Sequence, residues 1–281
     1  MILNFSLTYE PDFIISMVGP SRSGSSIMKW ALSQHPQITS LLGEEEPYYK
    51  LARNGYPWHP SDEFHRVNNP EIVKTCIANE LMGDVESQLH NRKYMQDTLL
   101  EEPPFVEFKT HSGAPGRILL LKTPQNCYRR GVLGQLYPKA KVVYIRTRRS
   151  LPAIVNGLMD GWLSDDFKAR KVGDQWWKFD MPPRWSLAAP LEERCVHQAK
   201  MASDYCNRDY SDAIDWHYEE FCDDWQGSTF QMFSFLKDAG IPITANVCLP
   251  MELPILMATE PPGRERWRDK RPHLEKLCST S

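Results

Sequence analysis

Residues 13–34 read FIISMVGPSRSGSSIMKWALSQ and predict a strand, a turn and a helix in close succession. A short apolar run comes first, a turn rich in glycine and serine follows, and apolar residues then recur with helical spacing. Backbone N–H groups in such a turn, together with the positive end of the helix, bind a phosphate whatever the side chains are. The segment therefore predicts a phosphate-binding loop.

The turn departs at one position from a well-known nucleotide-binding loop. Gly19 and Gly24 have the spacing of G-x-x-x-x-G-K-[ST], and Ser26 stands at its hydroxyl position. Ser25 replaces the lysine, which in that loop reaches the second and third phosphates of a nucleotide. The loop therefore favours a nucleotide that has one phosphate at its 5′ end and no triphosphate, with Arg22 as a source of positive charge.

Two further apolar runs predict strands that lie beside the first. Residues 118–121 and 142–145 are short and fully apolar, and each is followed by a predicted helix. Three such units are typical of a parallel sheet with helices on both faces. We predict an α/β, three-layer fold of the P-loop nucleoside triphosphatase kind, with a central parallel sheet and a mostly helical insertion. Ligands in that architecture bind at the carboxyl ends of the strands.

The rest of the chain is expected to belong to the same domain, which spans 1–281. Residues 48–110 and 158–212 are interpreted as insertions or a lid on the substrate side. The other predicted elements are strands at 37–42 and 213–218 and helices at 70–82, 85–100, 125–136, 191–210 and 228–239.

Composition narrows the class of protein. The formal net charge of −3 gives no general attraction to nucleic acid, so any anion site must come from local clustering of basic residues. The seven cysteines lack a C-x-x-C pair, which favours reduced thiols and a cytoplasmic location. No apolar run is long enough to span a membrane, and no His/Cys spacing predicts a metal site. Nothing in the composition predicts an oligomeric state.

Basic side chains are predicted at the ends of two strands. Lys122 follows the strand at 118–121, where a magnesium-dependent nucleoside triphosphatase usually has a metal-binding aspartate. We interpret Lys122 as a cation that neutralises charge on a leaving-group oxygen, with a surface lysine as the alternative. Arg148, after the strand at 142–145, and Asn156, eight residues later, are expected to face a second anion. A solvated basic loop is the alternative there.

Taken together, four blocks of sequence resemble the sulfotransferase family that uses 3′-phosphoadenosine 5′-phosphosulfate, and the bacterial and tyrosylprotein types more than the cytosolic steroid and phenol type. Residues 19–26, GPSRSGSS, followed by His35 and Pro36, resemble its 5′-phosphosulfate loop. Residues 142–156, VVYIRTRRSLPAIVN, are similar to its 3′-phosphate segment. The remaining blocks are LKTP at 121–124 with YPKAK at 137–141, and HYEEF at 217–221.

The resemblance implies roles for individual residues. Lys122 would contact the bridging oxygen of the donor, and Tyr218 would lie near the adenine. Asn156 replaces the serine that the family usually has, and it keeps the capacity for hydrogen bonding. The 5′ group is assigned to Arg22, Ser23, Gly24, Ser25 and Ser26, the 3′-phosphate to Arg148 and Asn156, and closure over the nucleotide to Arg264, Arg266 or Trp267.

An acidic segment follows the first helix, where the resemblance implies a glutamate general base. Glu46 is favoured because it directly precedes a Pro-Tyr-Tyr turn, whereas the Gly-Glu-Glu form of the motif selects Glu45. Three adjacent carboxylates, Glu44 included, raise one another's pKa, which suits a general base. A solvated acidic turn is the alternative, and His59 and His111 are further candidate bases.

The acceptor is expected to be a small molecule that binds near residues 160–185. The segment mixes aspartates with tryptophans, the composition of a pocket where a cation rests on aromatic faces. We hypothesise a cationic, hydroxylated or amine-bearing metabolite of secondary metabolism, with an amphipathic lid as the alternative reading. The residues are Asp160, Asp165, Asp166, Asp174 and Asp180, with Trp162, Trp176, Trp177 and Trp185.

The function that these expectations describe is a sulfotransferase. It would move the sulfuryl group of 3′-phosphoadenosine 5′-phosphosulfate (PAPS) to a hydroxyl or amine by in-line transfer, leaving adenosine 3′,5′-bisphosphate (PAP), without a metal. Two other functions stay open. A degenerate P-loop kinase would turn over ATP with magnesium, and a non-catalytic module would bind PAP without acting on an acceptor.

Overall fold

The computed structural model describes residues 3–41, 43–52, 69–83, 116–164, 170–172, 175–179, 189–244, 247–255 and 262–280. Several predictions made above concern residues outside these ranges. They are the helix at 85–100, the histidines His59 and His111, and the acceptor residues Asp165, Asp166, Asp174, Asp180 and Trp185. The single domain and its two insertions also extend beyond the described residues and stay predictions.

A parallel sheet of five strands forms the centre of the described part of the chain. Its order is β2–β3–β1–β4–β7, so the first strand is central and the strands on either side of it come much later in the sequence. This confirms the α/β fold with a central parallel sheet. The strands are β1 (Phe13–Val18), β2 (Ile38–Ser40), β3 (Ile118–Lys122), β4 (Lys141–Arg148) and β7 (Ile214–His217), and a separate antiparallel hairpin contains β5 (Arg170–Val172) and β6 (Gln175–Trp177).

Helices cover both faces of the sheet. Those in the described ranges are α1 (Ser25–Ser33), α2 (Glu46–Leu51), α3 (Pro70–Met82), α4 (Val132–Leu136), α5 (Leu151–Leu163), α6 (Leu191–Asp209), α7 (Tyr218–Asp223), α8 (Trp225–Asp238), α9 (Arg266–Lys270) and α10 (Leu274–Thr280). A 3₁₀ helix at Pro124–Tyr128 precedes α4. Helix α3 has the predicted bounds, because Asn69 caps its start and Pro70 occupies its first turn.

Alternate residues of β1 pack against opposite layers of helices. Ile15 and Met17 belong to a buried cluster with residues of α1 and α8, and Ile14 belongs to another with residues of α2, α3 and α4. Because side chains alternate along a strand, a strand that is buried on both faces is apolar throughout. The run FIISMV is therefore apolar apart from one buried serine, Ser16.

Helices α5 and α6 pack on each other beside the sheet and form a further apolar cluster with the C-terminal helices. The β5–β6 hairpin is attached to the end of α5 through Lys178, whose Nζ donates to the carbonyls of Gly161, Trp162 and Ser164 at 3.3, 3.0 and 2.7 Å. An ammonium is favourable at a helix C-terminus, where carbonyl groups lack helical partners. Residues 175–179 therefore hold a fixed position next to α5.

One local prediction was wrong in detail, and one element was not predicted. The predicted helix at 125–136 is a 3₁₀ helix and a short α-helix, separated at Arg129–Gly131. Arg129 has non-helical backbone angles, and its buried guanidinium binds Glu46. This tertiary contact outweighs the local helix propensity. The β5–β6 hairpin was not predicted, because strands of three residues carry too short a pattern to recognise.

The seven cysteines are free thiols, and six of them belong to the apolar clusters. Cys76, Cys127, Cys195 and Cys206 are buried, Cys222 and Cys278 are partly buried, and Cys248 is exposed. No helix of the described residues is both long and apolar enough to cross a bilayer.

Candidate active site

The turn between β1 and α1 contains residues with positive φ angles. Gly24 has a φ of +94° and precedes α1, and Arg22 has a φ of +70°, in the left-handed region that favours glycine. A Cβ atom on Gly24 would lie 2.2 Å from Cδ2 of Tyr218, so the tyrosine ring packs directly on the turn. The turn leads directly into the N-terminus of α1, the end of a helix at which an anion is favoured.

Two residues at the end of β4 fix the turn from its outer side. Thr147 Oγ1 lies 2.5 Å from Ser23 Oγ and donates to the carbonyl of Val18 at 3.2 Å. Arg149 donates from Nη1 to the carbonyl of Arg22 at 2.8 Å. Because both contacts come from the neighbouring strand, the position of the turn is set by the sheet as well as by its own sequence.

Positive charge is concentrated behind the turn. The Arg149 guanidinium lies 4.1 Å from the centre of the Tyr218 ring, and the Arg22 guanidinium lies 6.0 Å from that of Phe179. Burial, and then the neighbouring charges of Arg149 and Arg266, lower the pKa of Arg22 to about 10. Burial also lowers the pKa of Arg149. Both guanidinium groups are thus buried near other positive charges, where a bound anion would be favourable.

Lys122 joins the end of β3 to both the first turn of α1 and the acidic segment. Its Nζ donates to Ser26 Oγ at 3.0 Å and to Glu44 Oε1, and Glu44 Oε2 accepts from Thr123 Oγ1 at 3.2 Å. The Lys122 side chain is 6% exposed, whereas that of Glu44 is 31% exposed. A buried cation, a hydroxyl group of the predicted phosphate loop (residues 19–26) and a partly exposed carboxylate therefore meet at one point.

The other two glutamates of the segment are enclosed. Glu45 is fully buried, and its carboxylate accepts from the backbone N–H of Lys122 at 3.1 Å and from Asn126 Nδ2 at 2.6 Å. Burial raises the pKa of the Glu45 carboxyl. Glu46 accepts from Arg129 Nη2 at 2.9 and 2.7 Å, and both side chains are at most 2% exposed. Both carboxylates therefore stabilise contacts within the protein.

Arg148 and Asn156 contact different neighbours. Arg148 donates to Asp215 at 3.0 and 3.4 Å and to Asn207 at 2.5 Å, and Asp215 also binds Arg146. Asn156, on α5, accepts from Arg271 Nη1 at 2.5 Å and donates to Asp160 at 3.3 Å. The contacts described here do not join the two residues that sequence assigned to one phosphate.

The C-terminal candidates also differ in their surroundings. Trp267 is 3% exposed and packs with α5 and α6, and Arg264 forms a surface ion pair with Asp223 at 2.5 Å. Arg266 is close enough to Arg22 to lower its pKa. Among the three, Arg266 is therefore the one whose charge acts on the phosphate loop.

The acceptor candidates in the described ranges belong to α5 and to the β5–β6 hairpin. Asp160 accepts from Arg271 at 2.8 Å, and Trp162 is partly buried, with its Nε1 3.5 Å from Gln198. Trp176 and Trp177 lie on β6 of the hairpin. Asp160 thus pairs with a cation of the chain itself.

Several residues of this region were missed by the sequence analysis. Thr147, Asn126, Arg129 and Asp215 each bind a predicted site residue, and each lies more than sixty residues from its partner in the sequence. Only Thr147 had a usable signal, since it lies within the arginine-rich end of β4 beside the phosphate loop. Among the described residues, no group of three or more His, Cys, Asp or Glu side chains is placed to hold a metal ion.

Three solved sulfotransferase structures align with the chain at low sequence identity. The sulfotransferase domain from the Synechococcus PCC 7002 olefin synthase aligns with a TM-score of 0.48 and 13% identity, over 84% of this chain and 77% of that one. A sulfotransferase from Alicyclobacillus acidocaldarius aligns with a TM-score of 0.42 and 16% identity, over 96% of both chains. Sulfotransferase STF9 from Mycobacterium avium aligns with a TM-score of 0.42 and 13% identity, over 83% and 65%. No curated protein sequence matches the chain.

A family model gives the assignment. The model described as the sulfotransferase family matches residues 14–239, which run from β1 to the residue after α8. The match therefore includes the phosphate loop, the acidic segment, Lys122 and the arginine-rich end of β4. This transferase chain belongs to the sulfotransferase family.

Proposed function

We propose that the chain transfers the sulfuryl group of PAPS to a hydroxyl or amine of a small molecule and releases PAP. The observation that carries this proposal is the double contact of Lys122 Nζ, with Ser26 Oγ at 3.0 Å on one side and the Glu44 carboxylate on the other. It brings a cation and a carboxylate together at the N-terminus of α1, where an anionic donor is favoured.

The chemistry of the loop fits the 5′ end of this donor. Ser25 and Ser26 begin α1 with hydroxyl groups, and the left-handed residues Arg22 and Gly24 shape the turn around its backbone N–H groups. Arg149 Nε is buried and has no hydrogen-bond partner among the described residues. A buried donor without a partner is costly, so an anion at this turn would satisfy it.

Glu44 is the general base that the geometry favours, in place of Glu46, which the sequence favoured. Glu46 is enclosed with Arg129, and Glu45 accepts from two groups of the protein at 3.1 and 2.6 Å. Glu44 is partly exposed and sits against Lys122, so an acceptor can reach it from solvent. A base must lie within hydrogen-bonding distance of the proton that it removes, which an enclosed carboxylate cannot achieve.

Catalysis by these residues would consist of positioning and charge stabilisation. The donor supplies an electrophilic sulfur joined to the nucleotide through a bridging oxygen. Glu44 takes the proton of the acceptor as the acceptor oxygen or nitrogen bonds to sulfur, and Lys122 stabilises the negative charge that the bridging oxygen gains when its bond to sulfur breaks. Charge is conserved, since the proton stays on Glu44 and the electron pair leaves with the nucleotide.

The 3′-phosphate remains assigned to Arg148 and Asn156 as a proposal. The contacts of Arg148 with Asp215 and Asn207 imply that a phosphate must compete with an internal carboxylate for this arginine. Asp160, which pairs with Arg271, does not support a cation-binding acceptor pocket at its position. The acceptor class therefore stays a small molecule with a hydroxyl or amine.

The test is incubation with sulfur-labelled PAPS and a panel of phenols, alcohols and amines, cationic ones included. We expect label in at least one acceptor, and Lys122→Met should abolish it. Lys141→Met is the matched control, because Lys141 lies exposed at the start of β4, at the opposite end of that strand from Arg148.

Binding of PAP and ATP, measured by calorimetry, and turnover of ATP together distinguish the three candidate functions. The proposal expects PAP to bind more tightly than ATP, with or without magnesium. Magnesium-dependent ATP turnover would identify a kinase instead, and PAP binding without transfer to any acceptor would identify a binding module.

A further inference from the structure

Helix α1 contains a buried lysine that the proposed chemistry does not use. Lys29 is 2% exposed, and its Nζ donates to the carbonyl of Leu41 at 2.8 Å and to that of Gly43 at 2.5 Å. A lysine is rarely buried unless its charge and its donors find partners. Here the partners are main-chain carbonyls of the segment that leads into the acidic residues.

The segment bound by Lys29 lies between β2, which ends at Ser40, and α2, which begins at Glu46. Residues 41 and 43–45 therefore belong to neither a strand nor a helix, and the carbonyls of Leu41 and Gly43 accept from Lys29 outside any regular element. Glu44 follows directly after one of the two carbonyls that Lys29 holds. The location of the Glu44 backbone thus depends on a contact from α1.

Lys29 also lies on the same face of α1 as the hydroxyl groups of the phosphate loop. Ser25 and Ser26 precede it by four and three residues, and residues at these spacings are neighbours on a helix surface, about 5–6 Å apart. One rigid helical turn therefore connects the residues at the donor end with the anchor of the acidic segment.

We propose that Lys29 is a positioning residue that sets the distance between the phosphate loop and Glu44. It does not touch either reactant, and it acts by holding the carbonyls of Leu41 and Gly43 at a fixed offset from Ser26. Burial raises the pKa of Glu45, and the nearby charge of Lys29 acts in the opposite direction. Lys29 therefore also favours the ionised form of a carboxylate in the segment that it holds. The inference rests on the proposed function only for the identity of the reaction.

The experiment compares Lys29→Met with Lys74→Met. Both substitutions replace a lysine by an uncharged side chain of similar length. Lys74, however, lies on α3 and pairs with Glu10, away from the loop. K29M is expected to lower kcat for sulfuryl transfer about 10- to 100-fold, since a displacement of about 1 Å has effects of that size. The donor KM and the affinity for PAP should stay within about twofold of wild type, because the loop itself is intact. K74M should change none of these values.

A second readout does not depend on activity. The backbone N–H of Tyr48 donates to the Glu45 carbonyl at 3.0 Å, and that of Lys122 donates to the Glu45 carboxylate at 3.1 Å. Hydrogen exchange at these two amides should be faster in K29M than in wild type and unchanged in K74M. If wild type transfers no sulfuryl group, the proposed function fails, and this exchange measurement still decides the role of Lys29.

Two results would overturn the inference. One is a folded K29M protein with wild-type kcat and wild-type exchange at both amides. If K29M does not fold, K29Q takes its place, because its amide keeps N–H donors without the charge. K29Q is expected to show an intermediate loss of kcat, and a wild-type kcat in a folded K29Q protein contradicts the proposal.

Discussion

Glu44, Glu45 and Glu46 show how far neighbouring residues of one type can differ in their surroundings. Glu45 and Glu46 are buried against Asn126 and Arg129, whereas Glu44 is 31% exposed beside Lys122. Buried carboxylates with such partners stabilise a fold, and an accessible one can exchange a proton with a ligand. The three positions should therefore respond differently to the same substitution.

Glu44→Gln is expected to lower kcat about 10²- to 10⁴-fold, the usual contribution of a general base, and to lower stability less than Glu46→Gln, because Glu44 is partly exposed and the glutamine oxygen can still accept from Lys122. Glu46→Gln is expected to lower the free energy of unfolding by about 3 kcal/mol, because it leaves the buried charge of Arg129 without its partner. Turnover with labelled PAPS and urea unfolding measure the two effects. A stable but inactive E46Q, with E44Q active, would reverse the assignment.

The sequence could locate this acidic segment but could not rank its members. The segment follows the first helix, and that order is visible in the sequence. Which carboxylate is enclosed depends on Asn126 and Arg129, about eighty residues later in the chain. Local pattern carries no information about such contacts, since they arise only when α2 packs beside the 3₁₀ helix.

At the scale of elements, the turn between β1 and α1 was the most predictable part of the molecule. Its glycine spacing and hydroxyl residues have a direct physical purpose, so they mark the turn without any tertiary information. The structure adds what the pattern lacks, namely that Tyr218 packs on Gly24 and that Thr147 holds Ser23. The turn is thus completed by β4 and α7.

Gly24→Ala tests this packing. We expect the free energy of unfolding to fall by at least about 1–2 kcal/mol, because a left-handed φ is unfavourable for alanine, and the new Cβ would also lie 2.2 Å from Tyr218. Affinity for PAP, measured by calorimetry, should fall as well. Gly134→Ala is the control, since nothing lies within 4 Å of its added Cβ. A G24A protein that binds and unfolds like G134A would contradict the described turn.

The pairing of β4 with β7 places Asp215 beside two arginines. Burial acts to raise the pKa of Asp215, but hydrogen bonds from Arg146 and Arg148 hold it below the ordinary value. A carboxyl group with a lowered pKa in the folded state stabilises the protein above its unfolded pKa, about 4, and this stabilisation is lost as the pH falls through the lower folded value.

Asp215→Asn should therefore be less stable than wild type at pH 7, and the difference should shrink as the pH falls below about 4. Thermal unfolding at a series of pH values measures it. Asp223→Asn is the control, because Asp223 and Arg264 are both more than half exposed and such pairs contribute little. A difference that does not depend on pH would show that the ion pairs of Asp215 do not carry the effect.

On the scale of the whole molecule, the parallel sheet could be predicted because its strands are short, apolar and separated by helical segments. The order of the strands could not, since β1 pairs with β3 and β4 through contacts that no local pattern encodes. The break between the 3₁₀ helix and α4 has the same origin, because Arg129 leaves the helical path to bind Glu46. Tertiary contacts decided both of these features.

Binding of PAP should stabilise the entire fold, because the proposed site draws on β1, β3, β4 and α1 together. At a ligand concentration of about 100 times Kd, the gain is about 2.7 kcal/mol, which corresponds to a rise of about 5 °C in Tm. Differential scanning fluorimetry with PAP, and with ATP as the control, measures it. An equal shift with ATP would contradict selection of the bisphosphate.

The distribution of cysteines offers a way to follow how the molecule opens. Each of the four apolar clusters includes at least one sulfhydryl: Cys222 of α7 in the first, Cys76 of α3 in the second, and Cys206 and Cys195, both of α6, in the third and fourth. A thiol reagent modifies a buried cysteine only when the surrounding structure opens. The order in which these sulfhydryls become reactive in mild denaturant therefore ranks the local stability of the clusters without any engineered label.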